Sequence, residues 1–187
     1  MRRLSMFNSV SLDGYFVDRH GNMQWAHRNS DDPEWAAFVQ GNAGGGGTLM
    51  FGRVTYQMMA SHWTSPAAAR GDPIVAQRMN ALEKIVFSRT LRDATWSNTT
   101  LLSGDPATEV ARLKRGDGSA MVILGSGSLV AQLAARRLID EYQIVVVPIA
   151  LGGGRTLFDA IPETLSLKHV SSRAFRNGNV VSTYLSA

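Results

Sequence analysis

The chain has 187 residues, of which 44% are hydrophobic, so it can bury one substantial core but is too short for two full catalytic domains. We therefore expect one domain over residues 1–187. The absence of cysteine excludes disulfides, thiolate metal sites and a cysteine nucleophile, and the four histidines show no metal-ligand spacing.

The formal net charge is +4, yet the basic residues are scattered along the chain. Scattered charge is typical of a solvated surface, so we expect no nucleic-acid partner, although a basic nucleic-acid-binding domain stays an alternative. No run approaches the roughly 20 apolar residues of a membrane span. We expect a cytoplasmic protein without a membrane partner.

The N-terminal half reads as strands and helices in turn. Residues 3–11 predict a strand, and residues 12–22 predict a long loop that could close over a bound ring. Asp32-Pro33 is typical of a helix start, with Trp35 and Phe38 on one helical face. The segment TLMF at 48–51 predicts a buried strand that ends at Gly52, before a second helix.

The same pattern continues in the C-terminal half. Strands are predicted at 84–88, 120–124 and 142–149, and helices after Asp105-Pro106 and after Gly125, the latter with apolar spacing up to Leu138. Asn177-Gly178 lies between two further strands and predicts a hairpin. The result is an α/β fold with a mostly parallel sheet, helices on both faces and an antiparallel C-terminal hairpin.

Three strand ends carry residues suited to anions. In Gly125-Ser126-Gly127-Ser128, glycine allows close backbone approach and the free amides of a helix start favour a pyrophosphate. Gly52, Arg53 and Thr55 repeat this arrangement, and the Arg89 guanidinium beside Ser88 suits a 2′-phosphate. Each has a plainer interpretation, as a tight connection or an exposed charge, and Val130 replaces the third glycine of the Rossmann motif.

Acid or base chemistry has few candidates. Asp31, Asp32 and Glu34 lie at or before the first predicted helix, where Asp32 is also a natural cap. No Ser, His and Asp arrangement resembles a triad.

Four segments together carry a family resemblance. They are SVSLDGYF at 9–16, LMFGRVTY at 49–56, KIVFSRTL at 84–91 and VILGSGSLVAQLAARRLIDEYQIVVVPIALGGGRTLF at 122–158. In their order and spacing the chain resembles the dihydrofolate reductase superfamily, closest to the branch with the C-terminal reductase domain of the riboflavin-biosynthesis deaminase/reductase. Zinc deaminase domains use cysteine ligands, so we do not expect the bifunctional protein.

The resemblance implies a three-layer dihydrofolate reductase-like fold that binds NADPH across the strand ends, and a homodimer. The implied cofactor contacts are Gly52, Arg53, Thr55 and Tyr56 for the adenine-side phosphates, Ser88 and Arg89 for the ribose phosphate, Gly125, Ser126, Gly127, Ser128 and Leu129 for the pyrophosphate, and Asp13 and Gly14 beside the nicotinamide. Trp25 and the first helix would border the substrate, with Glu34 as the catalytic carboxylate and Asp32 as its competitor. The LGGGRTLF segment is interpreted as a hairpin turn.

The resulting hypothesis is an NADPH-dependent reductase that transfers a hydride to a small pterin-like or pyrimidine-like substrate, or to another small heterocycle or carbonyl. A dinucleotide-binding module without efficient turnover is the alternative.

Overall fold

The computed structural model describes residues 1–27, 32–44, 47–159 and 161–187. The strands are β1 (Leu4–Ser11), β2 (Tyr15–Val17), β3 (Thr48–Gly52), β4 (Lys84–Phe87), β5 (Thr99–Leu102), β6 (Met121–Leu124), β7 (Glu141–Val147), β8 (Arg155–Thr156), β9 (Leu167–Ala174) and β10 (Val180–Ser186). The α-helices are α1 (Pro33–Gly44), α2 (Arg53–Trp63), α3 (Pro66–Gly71), α4 (Pro73–Ala81), α5 (Pro106–Arg115) and α6 (Gly127–Ala135), and a 3₁₀ turn spans Gln24–His27.

Eight strands form one sheet in the order β5-β4-β3-β6-β1-β7-β10-β9. The six strands from β5 to β7 run parallel, while β10 is antiparallel to both β7 and β9. The carboxyl ends of the six parallel strands therefore share one edge of the sheet, which we call the carboxyl edge. Parallel sheets bind ligands at this edge, so the residues after each strand position the candidate site.

Helices cover both faces of the sheet, as the three-layer prediction requires. On one face, Leu4, Met6, Met121 and Ile123 pack with Val110 of α5 and Leu133 of α6. On the other face, apolar residues of β3 and β4 pack against α2 and α4, and those of β7 and β10 pack against α1. No helix in the described ranges is long and apolar enough to cross a membrane.

The mostly parallel sheet and the antiparallel C-terminal hairpin are confirmed. Gly178, at φ 86°, closes the turn between β9 and β10. The helix after Gly125 ends at Ala135, three residues before the predicted limit at Leu138. Arg137 has φ 51°, and the Leu138 amide donates to the Leu133 carbonyl, as in a Schellman ending.

The interpretation of residues 151–158 as a hairpin turn is wrong. Their strand β8 pairs antiparallel with β2, which lies far away in the sequence. Gly154 has φ 146°, and a side chain there would overlap the Val17 carbonyl oxygen. This close backbone approach explains the glycine and joins the segment to the loop after β1.

Candidate active site

Two predicted anion corners meet at the carboxyl edge. Strands β3 and β6 are neighbours in register, with Met50 opposite Ile123, so the corners that follow them lie side by side. The Gly52 amide donates to Ser126 Oγ at 2.8 Å, and the Ser126 amide donates to Thr55 Oγ1 at 3.1 Å. These two bonds link the start of α2 to the start of α6.

Both helices begin without a side-chain cap. Gly52, which has no side chain, precedes α2, and Ser126, whose hydroxyl accepts no bond from its own helix, precedes α6. In the described residues, no carbonyl or side chain accepts from the Gly127 or Ser128 amides, which lie in the first turn of α6. Helix-start amides of this kind carry partial positive charge and suit an anion.

The turn before α6 depends on its backbone conformation. Gly125 has φ 57° and Ser126 has φ 55°, so two successive residues adopt the left-handed region. A side chain at Gly127 would overlap the Phe16 ring. The glycines of this segment therefore allow a tight connection into α6, at whose start Gly127 is buried and Ser128 is exposed.

Three of the predicted cofactor contacts have structural roles. Tyr56 is 3% exposed, and its hydroxyl accepts from the Trp96 amide at 2.9 Å. Leu129 is buried in the core, and the Thr55 hydroxyl is engaged by the Ser126 amide. We therefore leave Tyr56 and the Leu129 side chain out of the cofactor site proposed below.

Arg53 and Arg89 lie exposed beyond their strands, as the predicted phosphate contacts should. Arg53 donates to the Gln57 side chain at 3.0 Å. Ser88 Oγ accepts from the Leu91 amide at 2.9 Å and orders the turn that carries Arg89.

Arg89 also influences a neighbouring carboxylate. The amide and hydroxyl of Thr108 lower the pKa of Asp105 most, and the positive charges of Arg136 and Arg89 lower it further. Arg89 follows β4 and Asp105 follows β5, which are neighbouring parallel strands at one end of the sheet.

Asp13 joins two loops across the ends of β1 and β7. Its carboxylate accepts from the Ser11 hydroxyl at 2.6 Å, from the Leu151 amide at 3.0 Å and from the Gly152 amide at 2.7 Å. The Ser11 bond and then the two amides lower the pKa of Asp13 to about 2. Gly14 follows at φ 89° with open space around it. No sequence pattern predicts the contacts with Leu151 and Gly152, which span 138 and 139 positions.

The predicted loop at 12–22 contains short-range structure. It includes β2, and Asp18 Oδ1 accepts from the amides of His20 and Asn22, both at 2.8 Å. The loop therefore has its own turns and a strand partner.

The proton-donor candidates have other partners. Asp32 is buried and caps α1; its oxygens accept from the amides of Glu34 at 2.9 Å and Asn177 at 3.1 Å. Burial raises the pKa of Asp32, but the backbone hydrogen bonds outweigh it and leave a net lowering. Glu34 is ion-paired with Arg173 of β9 at an exposed position. Asp31 lies outside the described residues.

Trp25 is 5% exposed, and its indole nitrogen donates to the Asn22 carbonyl at 3.1 Å. It packs with Val145, Val147 and Phe175, so its main role is in the core. Its neighbours Met23 and Ala26 line a cavity of about 460 Å³, which we call the trough.

The trough begins at the carboxyl edge, beside Thr55 and Gly125, and follows the sheet face along β1. Asn8 lines it near the edge, and Asn8 Nδ2 donates to the Gly125 carbonyl at 3.1 Å. The volume falls in the range of small-molecule sites. Sequence patterns could not reveal the trough, because it arises from the gap between packed helices.

A family model described as the RibD C-terminal domain matches residues 2–181. The chain belongs to this family. The match supports a reductase-like role.

Similar proteins agree with this assignment. YyaP of Bacillus subtilis strain 168, which is uncharacterised, is 25% identical over 98% of this chain and 94% of its own. A Shewanella sp. PV-4 protein ascribed to riboflavin biosynthesis is 24% identical, with a TM-score of 0.75 and 99% of both chains covered.

A bifunctional Thermotoga maritima protein, a diaminohydroxyphosphoribosylaminopyrimidine deaminase and 5-amino-6-(5-phosphoribosylamino)uracil reductase, has a TM-score of 0.69 at 13% identity. The match covers all of this chain and 57% of that protein. These likenesses confirm the dihydrofolate reductase-like fold.

Proposed function

We propose that the protein is an NADPH-dependent reductase acting on a small molecule bound in the trough. The observation that carries the proposal is the pair of uncapped helix starts, α2 and α6, linked side by side at the carboxyl edge. An elongated dianionic pyrophosphate matches such a pair, because each helix start offers free amides and partial positive charge.

Each end of the cofactor has a proposed set of residues. The Gly127 and Ser128 amides, supported by the Gly125 and Ser126 turn and by Gly52, would hold the pyrophosphate. Arg53 would add charge beside them. Arg89, on the turn ordered by Ser88, would pair with the 2′-phosphate, which distinguishes NADPH from NADH.

Bound NADPH supplies a hydride to an electrophilic carbon of the substrate. The protein's contribution is to hold this carbon at the mouth of the trough, where Thr55, Asn8 and Gly125 lie, and to limit water there. The Asp13 contacts fix the loops over the ends of β1 and β7, so Asp13 and Gly14 would shape the nicotinamide end through the backbone.

A solvent proton completes the reduction in this proposal. Asp32 is ionised and saturated by amides, while Glu34 is paired with Arg173. Glu34 stays the predicted carboxylate of the two, because its ion pair is exposed and can open to water. If Glu34 supplies the proton instead of solvent, Glu34→Gln should lower kcat and alter the pH profile with an unchanged NADPH affinity, whereas a solvent proton leaves kcat unchanged.

The alternative, a binding module without efficient turnover, is favoured by one observation. Glu141 carries the only carboxylate among the described residues that line the trough, and this carboxylate is paired with Arg3. A site with no free acid at its mouth could bind the dinucleotide and reduce little.

Two measurements on the intact protein test the proposal. Calorimetric titration should show NADPH binding more tightly than NADH, and NADPH absorbance should fall when a panel of pterins, pyrimidines and quinones is added. Binding without oxidation of any compound would favour the module. Failure to bind either dinucleotide would refute the proposal.

The homodimer and the cytoplasmic location stay predictions. Light scattering after gel filtration would test the dimer, with a mass of about twice 20.3 kDa expected.

A further inference from the structure

We propose that the trough selects flat, uncharged, mostly apolar substrates that present a hydrogen-bond acceptor to Trp63 Nε1. This inference rests on the proposed function, since it names the substrate class of the same site. The proposed substrate class also differs from the phosphoribosylated pyrimidine named for the Thermotoga maritima protein.

The trough is a gap in one helical layer. Its floor is the sheet face of β1 and β6, where Ser5, Phe7 and Leu124 lie. Helix α1 forms one wall, and helices α2 and α4 form the other. A slot between a flat sheet and two helical walls favours a planar molecule that enters from the carboxyl edge.

The walls are apolar and adaptable. Methionine contributes four lining side chains, which are Met23, Met58 and Met59 of α2, and Met79 of α4. Methionine side chains are flexible and polarisable, and they pack well against aromatic rings. The surface therefore suits aromatic or quinone-like rings of varied outline.

The charge of the trough is balanced within the protein. Among the described lining residues, the only charged side chains are Arg3 and Glu141, and they form an ion pair at 3.0 Å. This pair lies at the end of β1 remote from the carboxyl edge. A phosphate group inside the trough would therefore have no free cation among these residues, and burying an unpaired charge is costly.

Two residues that line the trough, Asn8 and Trp63, each carry a buried polar atom without a partner in the described residues, Oδ1 and Nε1 respectively. Thr55 and Met59 also line the trough, so Trp63 lies on the same face of α2, two turns from the mouth. Buried donors are normally satisfied, which suggests that a ligand acceptor meets this indole.

The test uses menadione, a planar uncharged quinone with two carbonyl acceptors, on the intact chain without cofactor. The protein has four tryptophans and no cysteine for the quinone to alkylate. We expect the indole N–H signal of Trp63, assigned by its loss in Trp63→Phe, to shift on titration. Trp63→Phe should weaken menadione binding roughly 3- to 10-fold, as for one lost hydrogen bond.

Matched variants guard against a folding artefact. Trp35→Phe makes the same chemical change on α1 outside the trough lining and should leave menadione binding unchanged. Val39→Phe narrows the trough from the α1 wall and should weaken binding without touching the indole.

Several results would overturn the inference. They are an unmoved Trp63 signal at saturating menadione, equal losses in Trp63→Phe and Trp35→Phe, or displacement of menadione by 5-amino-6-(5-phosphoribosylamino)uracil. NADPH titration is run separately. NADPH binding without a menadione response defeats this inference alone, and a menadione response without NADPH binding defeats the proposed function.

Discussion

Helix starts in this protein are of two kinds. Helices α1, α3, α4 and α5 each begin at a side-chain oxygen of their own sequence, from Asp32, Ser65, Asp72 and Asp105. Helices α2 and α6 begin at Gly52 and Ser126 with no such cap.

Position in the sheet alone does not explain the difference. Helix α5 also follows a parallel strand at the carboxyl edge, yet Asp105 accepts from the Thr108 amide at 2.9 Å. The uncapped starts are the two that directly follow β3 and β6, which are neighbours within the sheet. The two uncapped helix starts are therefore the ones at which we propose that the cofactor phosphates bind.

The largest expected effect comes from giving α6 a cap of the common kind. Ser126→Asp places a carboxylate between the starts of α2 and α6, where Ser126 Oγ meets the Gly52 amide, and aspartate tolerates the left-handed backbone there. Repulsion of the pyrophosphate should weaken NADPH by about 3 to 4 kcal/mol, a few hundredfold. Calorimetric titration measures the loss.

Ser126→Ala is the control for this variant, because it removes the Gly52 contact without adding charge. Its loss of NADPH affinity should be much smaller. If both substitutions weaken NADPH equally, the amides of α6 do not bind the cofactor phosphates.

Arg89→Ala should have the next largest effect and should sharpen the contrast between the two cofactors. Loss of a charged hydrogen bond should weaken NADPH by about 1.5 to 3 kcal/mol, with little change for NADH. Parallel titrations with both cofactors provide the test. Equal losses would remove the 2′-phosphate assignment.

Asp72→Ala examines the capped class. Asp72 Oδ1 accepts from the Val75 amide at 3.2 Å, and loss of this cap should lower the free energy of unfolding by about 1 kcal/mol. Urea unfolding measures this change. NADPH affinity should stay the same. A clear loss of affinity would contradict the separation of capped helix starts, which stabilise the fold, from uncapped ones, which bind the cofactor.

Asp13→Asn removes the carboxylate that accepts from the distant Leu151 and Gly152 amides. Its effect should be the smallest of the four. The pKa of Asp13 is lowered to about 2 from its ordinary 3.8. The ionised carboxylate therefore stabilises the folded state fully at pH values above about 3.8. That stability is lost as pH falls through about 2. The variant should show a shallower fall in urea midpoint between about pH 5 and pH 3, and an unchanged slope would exclude this role.

Local pattern was sufficient for the strands that end at Gly52 and Gly125 and for the hairpin at Gly178. Ser65-Pro66 and Asp72-Pro73 begin α3 and α4 in the same way that Asp105-Pro106 begins α5, so these two helix starts also have a local sequence signal. Strand β5 gave little signal, because it is a short, partly exposed edge strand. The six-residue α3 and the two-residue β8 were beyond such patterns.

The candidate site also has a part that local sequence predicts and a part that depends on tertiary contacts. Parallel pairing brings the predicted corners together because strand ends of one direction share an edge. The partners of individual side chains could not be predicted, since Glu34 meets Arg173 and Asp13 meets Leu151 only after the chain folds. The position of Tyr56 facing Trp96 depends equally on tertiary packing.

The contact between Gly154 and the Val17 carbonyl has a consequence for how this sequence can vary. Gly152 and Gly154 both have positive φ, but Gly152 has open space around it, while any side chain at Gly154 meets backbone. In a randomised library, functional clones should accept asparagine at 152 and retain only glycine at 154. Two glycines of one short motif would then diverge at very different rates.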